Sequence, residues 1–162
     1  MDSTVVLGLG SNLGESQAII RKAVHALEQY ISGLRCSSLY ETVPMYVIDQ
    51  GKFINAAVTG AYDGTPYDLL NGIHSIEAEF GRDRALERRW GERLLDIDIL
   101  LFGDLVINGP NLTIPHILMK ERRFALEPLI ELLPDILDPG TGFSYAEICA
   151  KLPDQGVIKV SS

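Results

Sequence analysis

The chain has 162 residues, 46% of them hydrophobic, and a formal net charge of −8. That length fills one good core and does not suggest two independent domains, so residues 1–162 are expected to form a single domain. The acidic balance argues against a general nucleic-acid or anionic-membrane binder, because both need a net basic surface; an anionic ligand must meet a local basic patch.

Residues 4–9, TVVLGL, are apolar and β-branched and run into the glycine-rich turn GSNLG, which predicts a first, buried strand. From Glu15 the period changes. Ile19, Ile20, Ala23, Leu27, Tyr30 and Ile31 recur at helical spacing, with Gly33 as the expected stop. LRCSSLYET then predicts a second strand and KFINAAVTGAY a third, separated by the loop VPMYVIDQG. The next helix opens with Thr65 as cap, Pro66 at its first position and Asp68 in its first turn, and closes at Gly81. After an arginine-rich loop, GERLLDIDILLFG predicts a fourth strand. The order strand, helix, strand, strand, helix, strand predicts an α+β fold, the ferredoxin-like βαββαβ unit, with a mostly antiparallel sheet and both helices on one face. DLVING suggests a short edge hairpin strand after the fourth. KERRFALEPLIELLP and SYAEICAKLP suggest short C-terminal helices, the second with Ser144 and Glu147 as a capping box.

Cys36 and Cys149 fit neither a disulfide framework nor a metal-ligand spacing, and both are expected to be reduced core residues. No signal segment and no membrane-length apolar run is visible, so a soluble cytoplasmic protein is expected. The turn at residues 8–14 has the spacing G-x-G-x-x-x-G, neither a dinucleotide fingerprint nor a P-loop, and reads as a tight strand-to-helix turn.

The fourth strand carries the sharpest signal. Asp96 and Asp98 project from one face of it, while Leu95, Ile97, Ile99 and Leu101 are expected on the other. Their roots lie roughly 7 Å apart, where like charges repel by about 2 kcal/mol at an effective dielectric of about 20. A cation between them removes that cost; the alternatives are pairing with nearby arginines or a strand end open to water. Arg82, Arg84, Arg88, Arg89 and Arg93 are five of the chain's nine arginines, gathered within twelve residues beside the pair. Guanidinium forks match phosphate oxygens, so this concentration suggests a polyphosphate holder; the alternative is a solvated loop whose arginines pair with Glu87, Glu92 and their neighbours. Two Mg²⁺ ions bridged by the carboxylates and a triphosphate satisfy both clusters. His116 precedes a second basic cluster, Lys120, Arg122 and Arg123, and no nucleophile–base pair is evident.

Taken together, YETVP…DQGKFINAAV, GRDR…RWGERLLDIDILLFG and TIPHILMKERRFALEPL, with LGSNLG near the start, resemble the 6-hydroxymethyl-7,8-dihydropterin pyrophosphokinase family. The resemblance extends to about residue 140. It implies a ferredoxin-like fold and transfer of the β,γ-pyrophosphoryl group of ATP to a dihydropterin hydroxymethyl group, releasing AMP. It further implies that Asp96 and Asp98 bind two Mg²⁺ ions with ATP, and that Arg82 and Arg93 contact the phosphates as the catalytic arginines. Arg84 and Arg88 or Arg89 belong to the same cluster, and Glu77, Thr113, His116 and Arg122 fall on the ATP side. On the pterin side it implies Phe53 and Phe124 as the sandwiching rings, Thr42 and Asn55 as hydrogen-bonding partners, and Trp90 closing from the loop. The implied partners are these two small molecules, with no nucleic acid and no membrane, and the implied state is a monomer.

Three positions depart from the family pattern: Tyr46 where glycine is common, Glu92 where proline is common, and Ile117 where some members carry an aromatic. Two other readings share parts of the signal. A nucleotidyltransferase also uses paired strand aspartates and two metals but releases pyrophosphate. An RNA-recognition module shares the βαββαβ plan but favours a basic, aromatic-rich sheet, unlike this acidic chain.

Overall fold

The computed structural model describes residues 2–12, 15–42, 53–80 and 94–161. Among them, strands β1 (Ser3–Ser11), β2 (Ser32–Cys36), β3 (Leu39–Thr42), β4 (Phe53–Tyr62), β5 (Asp96–Phe102) and β8 (Val157–Ser161) form one six-stranded sheet. Its order is β5-β1-β4-β3-β8, with β2 also on β4, and every pairing is antiparallel. Two further strands, β6 (Ile107–Asn108) and β7 (Thr113–Ile114), form a separate two-stranded hairpin. The expected α+β, ferredoxin-like plan is therefore present.

Helix α1 (Ser16–Leu27) buries Ile20, Ala23 and Leu27, one stripe at helical spacing. Helix α2 (Pro66–Glu79) starts on a full capping box between Thr65 and Asp68, with Pro66 at its first position. Both lie on one face of the sheet, where Val5, Leu7, Leu9, Ile54, Ala56, Ile97 and Ile99 meet Ile20, Leu27, Leu69 and Ile73 in one core. The opposite face carries a second core, in which Val6, Leu100 and Leu101 meet Met119, Leu126, Leu129, Tyr145 and Cys149. These come from a 3₁₀ turn (Met119–Glu121), α3 (Arg123–Leu132) and α4 (Tyr145–Ala150). The C-terminal elements thus cover the face that a bare βαββαβ unit leaves open.

Several expectations change. The first helix ends at Leu27, and Gly33, at φ +61°, lies inside β2 instead of stopping the helix. LRCSSLYET is two strands, because the Ser37 hydroxyl, in place of a strand carbonyl, accepts the Ala57 backbone N–H while donating to the Ser38 carbonyl, which interrupts the ladder before β3. Leu101 lies on the same face as Asp96 and Asp98. Its neighbour Leu100 is an extra residue opposite the Val6–Leu7 step, and this bulge reverses the alternation. DLVING does supply the expected hairpin strand, β6, which pairs with β7 in its own two-stranded sheet. Ser144 caps α4 by accepting from the Glu147 N–H. Cys149 is buried as expected, but Cys36 is exposed, since β2 presents almost no covered side chain; neither forms a disulfide.

Candidate active site

The strand ends that were expected to carry function converge at one end of the sheet. Asp96 lies opposite Gly10 of β1, Gly10 opposite Asn55 of β4, and Asn55 opposite Tyr40 of β3, so the four make one cross-strand row. Asp98 lies opposite Gly8 in the next row, and Thr42 lies opposite Phe53 at the rim. Alternation puts all of these on the face away from α1 and α2, because their neighbours Ile54, Ile97 and Ile99 fill the core beneath those helices. Gly10 leaves room between the acidic and amide groups. A Cβ there would lie 3.0 Å from Asn55 Oδ1.

Asp98 is partly open to solvent, with 40% of its side chain exposed, and Asp96 is half-buried. The strand beneath them is held at its outer edge, where the Ile97 backbone N–H, midway between the aspartates, donates to Glu77 Oε2 at 2.9 Å. Glu77 itself is 3% exposed and comes from α2.

His116 enters from the segment after β7. Its backbone N–H donates to the Leu100 carbonyl at 3.0 Å, and its Nε2 lies 3.8 Å from Asp98 Oδ2. Burial first, then the Arg122 charge, holds the imidazole below its ordinary pKa, against an opposing pull from Asp96. Nδ1 accepts the Leu118 backbone N–H at 3.2 Å, so the neutral ring carries its proton on Nε2, facing Asp98. Arg122 sets its guanidinium 5.4 Å from the centroid of Phe124, a cation–π arrangement at the start of α3. Of the second basic cluster, Lys120 and Arg123 are structural. Lys120 Nζ donates to buried Asp138 Oδ2 at 2.9 Å, while Arg123 donates to the Pro153 and Leu152 carbonyls. Asp138 also accepts from Tyr145 Oη and from both the N–H and hydroxyl of Thr141, which holds its carboxyl down at about 2. Ile117 is 73% exposed beside His116.

On the other side of the row, Thr42 is buried and its Oγ1 makes no hydrogen bond among the described residues. An orphaned hydroxyl of this kind costs free energy until a ligand supplies its partner. Asn55 is also buried and Phe53 half-buried. Thr113 lies half-buried in β7, opposite Asn108. Arg82, Arg84, Arg88, Arg89, Trp90 and Arg93 lie outside the described residues, as do Tyr46 and Glu92.

The donor set suits magnesium in kind. Among the described residues no group of three or more His, Cys, Asp or Glu side chains gathers into a cage. Two hard carboxylates facing glycines are what Mg²⁺ takes when phosphates and water complete its shell.

The residues that sequence reading did not single out are Gly10, Tyr40, Glu131 and Asp138. Only the glycine left a trace, as one position of an unassigned turn. Tyr40 and Glu131 are 91 residues apart, and their contact has no local signature.

Fold and site together define a class: a ferredoxin-like α+β protein whose sheet end gathers an acidic pair, a neutral imidazole and aromatic side chains. Residues 6–134 match the family described as 7,8-dihydro-6-hydroxymethylpterin-pyrophosphokinase, HPPK. The chain belongs to that family. It is 41% identical over 157 residues to the 2-amino-4-hydroxy-6-hydroxymethyldihydropteridine pyrophosphokinase of Methylorubrum extorquens, covering 95% of this chain and 96% of the relative. The folic acid synthesis protein fol1 of Schizosaccharomyces pombe is 40% identical over 159 residues, spanning 96% of this chain but only 21% of that longer protein. Among solved structures, Plasmodium falciparum HPPK-DHPS superposes with a TM-score of 0.73 at 18% identity, over 93% of this chain and 43% of that one; at that identity the likeness is one of fold.

Proposed function

We propose that this chain transfers the pyrophosphoryl group of ATP to the hydroxymethyl group of 6-hydroxymethyl-7,8-dihydropterin, in folate biosynthesis. The observation that carries this reading is the placement, on one sheet end of a pyrophosphokinase-family chain, of the Asp96–Asp98 pair beside His116 and of Thr42 and Asn55 beside Phe53. The pterin alcohol attacks the β-phosphorus, the bond from that phosphorus to the oxygen shared with the α-phosphate breaks, and AMP departs with that oxygen.

Asp96 and Asp98 would hold two Mg²⁺ ions, which supply charge neutralisation and alignment of the triphosphate. His116 offers its Nε2 proton as a neutral donor beside Asp98, and Arg122 brings positive charge to the same side. Arg82 and Arg93, with Arg84 and Arg88, take the phosphates. Phe53 and Phe124 stack on the flat ring, Thr42 and Asn55 bond its polar edge, and Trp90 covers it. Glu77 and Thr113 complete the ATP side, Glu77 acting through the backbone of β5. In this reading the protein works as a monomer on small molecules in the cytoplasm, without nucleic acid or membrane. Among the described residues no helix is long and apolar enough to cross a bilayer.

Incubation with Mg-ATP and the hydroxymethyl-dihydropterin, with nucleotides resolved by chromatography, tests the reaction. One AMP per pterin consumed is expected. Pyrophosphate release in place of AMP would establish the nucleotidyltransferase reading instead.

A further inference from the structure

We propose that Tyr40 and Glu131 are positioning residues that fix the spacing between the two walls of the pterin site. This rests on the reading above, in which Phe53, Asn55 and Thr42 form one wall and Phe124 the other.

The two walls belong to different layers. Phe53 and Asn55 are on β4, whereas Phe124 opens α3, which lies across the sheet. What joins that helix to the sheet is mostly Leu126 and Leu129 in the second core. Apolar contact is non-directional and fixes position along the helix axis less sharply than hydrogen bonds do, and the bonds of Arg123 at the start of α3 go to the Leu152 and Pro153 carbonyls and not to the sheet. A register needs directional bonds.

Glu131 supplies them. It lies seven residues after Phe124, two turns along the same stripe of α3, about 10 Å down the axis. Its Oε1 accepts the Tyr40 hydroxyl at 2.5 Å, and its Oε2 accepts the Ser38 backbone N–H at 2.8 Å and hydroxyl at 3.1 Å. Tyr40 is 5% exposed and lies directly opposite Asn55, two residues from Thr42. One carboxylate therefore ties α3 to the strand that lines the pterin wall. Those hydrogen bonds hold the Glu131 carboxyl below its ordinary pKa against the opposing effect of burial, while burial and the same carboxylate push the Tyr40 phenol up, so the bond is charge-assisted at neutral pH. A slip of α3 moves Phe124 relative to Phe53 by the same distance, and a stacked ring tolerates little of that.

The test uses Tyr40→Phe, which keeps the ring and deletes the hydroxyl. Pterin affinity, measured by calorimetry with magnesium and a non-hydrolysable ATP analogue present, should weaken about tenfold, while affinity for the nucleotide analogue changes less than about twofold. Tyr145→Phe is the control, since it removes a similar tyrosine–carboxylate bond, 2.7 Å to Asp138, away from the sheet row. It should lower thermal stability without weakening pterin binding. Glu131→Gln, which retains an acceptor for Tyr40, should recover most of the affinity lost in Glu131→Ala. Tyr40→Phe binding pterin like the wild type, or losing pterin and nucleotide equally, overturns the positioning role. A wild-type protein that fails to bind the pterin at all overturns the functional reading and this one with it.

Discussion

Glu77, nearly inaccessible on α2, accepts the backbone N–H of Ile97, the residue between the two aspartates, at 2.9 Å. Among the described residues β5 is an edge strand, and this N–H, pointing away from β1, has no strand there to pair with. The carboxylate closes that edge and fixes the height of Asp96 and Asp98 on the sheet. Replacing Glu77 by Leu leaves a buried amide without an acceptor and should cost about 1–3 kcal/mol, read as a lower urea midpoint. Glu77→Gln, which keeps an oxygen acceptor, should recover much of that loss. Equal destabilisation by both variants would mean that the carboxylate acts through something other than this bond.

The aspartates themselves should be dispensable for folding and indispensable for turnover. Each stands on the partly open face of β5, and removing one relieves a like-charge repulsion. Asp96→Ala and Asp98→Ala are expected to lower AMP formation by at least roughly 10²–10³-fold, the order seen when one charge-stabilising group is lost from an active site. Their circular dichroism spectra should match the wild type and their melting temperatures should not fall. Wild-type rates in either variant would remove the metal role.

Gly10 separates Asp96 from Asn55 in the cross-strand row, and its missing side chain is what admits the amide. Gly10→Ala would set a Cβ 3.0 Å from Asn55 Oδ1 and push that flexible side chain by a few tenths of an ångström. The backbone of β1 is ordinary here, so stability should change little. The pterin KM should rise several-fold, corresponding to about 1 kcal/mol of lost hydrogen bonding, and the ATP KM should not follow. Parallel increases in both constants would argue that the alanine distorts the strand as a whole.

Acid should loosen the C-terminal layer first. Asp138 titrates at about 2 in the folded chain, against an ordinary value of 3.8, because Lys120, Tyr145 and Thr141 all donate to it. A depressed carboxyl contributes stability that is complete above its unfolded pKa and is lost as the pH falls through the folded value, here from about pH 4 down to about pH 2, and a shift of this size is worth about 2 kcal/mol. Glu131 is shifted in the same direction and adds to the effect. Urea midpoints measured between about pH 5 and pH 2 should fall in the wild type and fall less steeply in Asp138→Asn, which should already be less stable at neutral pH. An unchanged acid slope in that variant would place the linkage elsewhere.

How much of this was readable beforehand follows from the range of each signal. The capping box at Thr65, the apolar stripe of α1 and the same-face placement of Asp96 and Asp98 depend on residues within a few positions of one another, and composition and period displayed them directly. The order of strands and helices, and with it the ferredoxin-like plan, followed from such local units laid end to end. The bulge at Leu100 did not, because a run of apolar residues shows no alternation from which a missing step could be noticed.

The amino-acid sequence by itself determined the βαββαβ order of the main elements, which face of β5 is acidic and which family the motifs belong to, since these are properties of neighbouring residues. Only the tertiary structure decided that the last strand joins β3, that Lys120 and Arg123 serve the scaffold while Arg122 faces Phe124, and that Glu131 reaches Tyr40 across 91 residues. The physical reason is that a side-chain hydrogen bond between distant segments depends on where packing sets the two backbones. No periodicity along the chain encodes that distance.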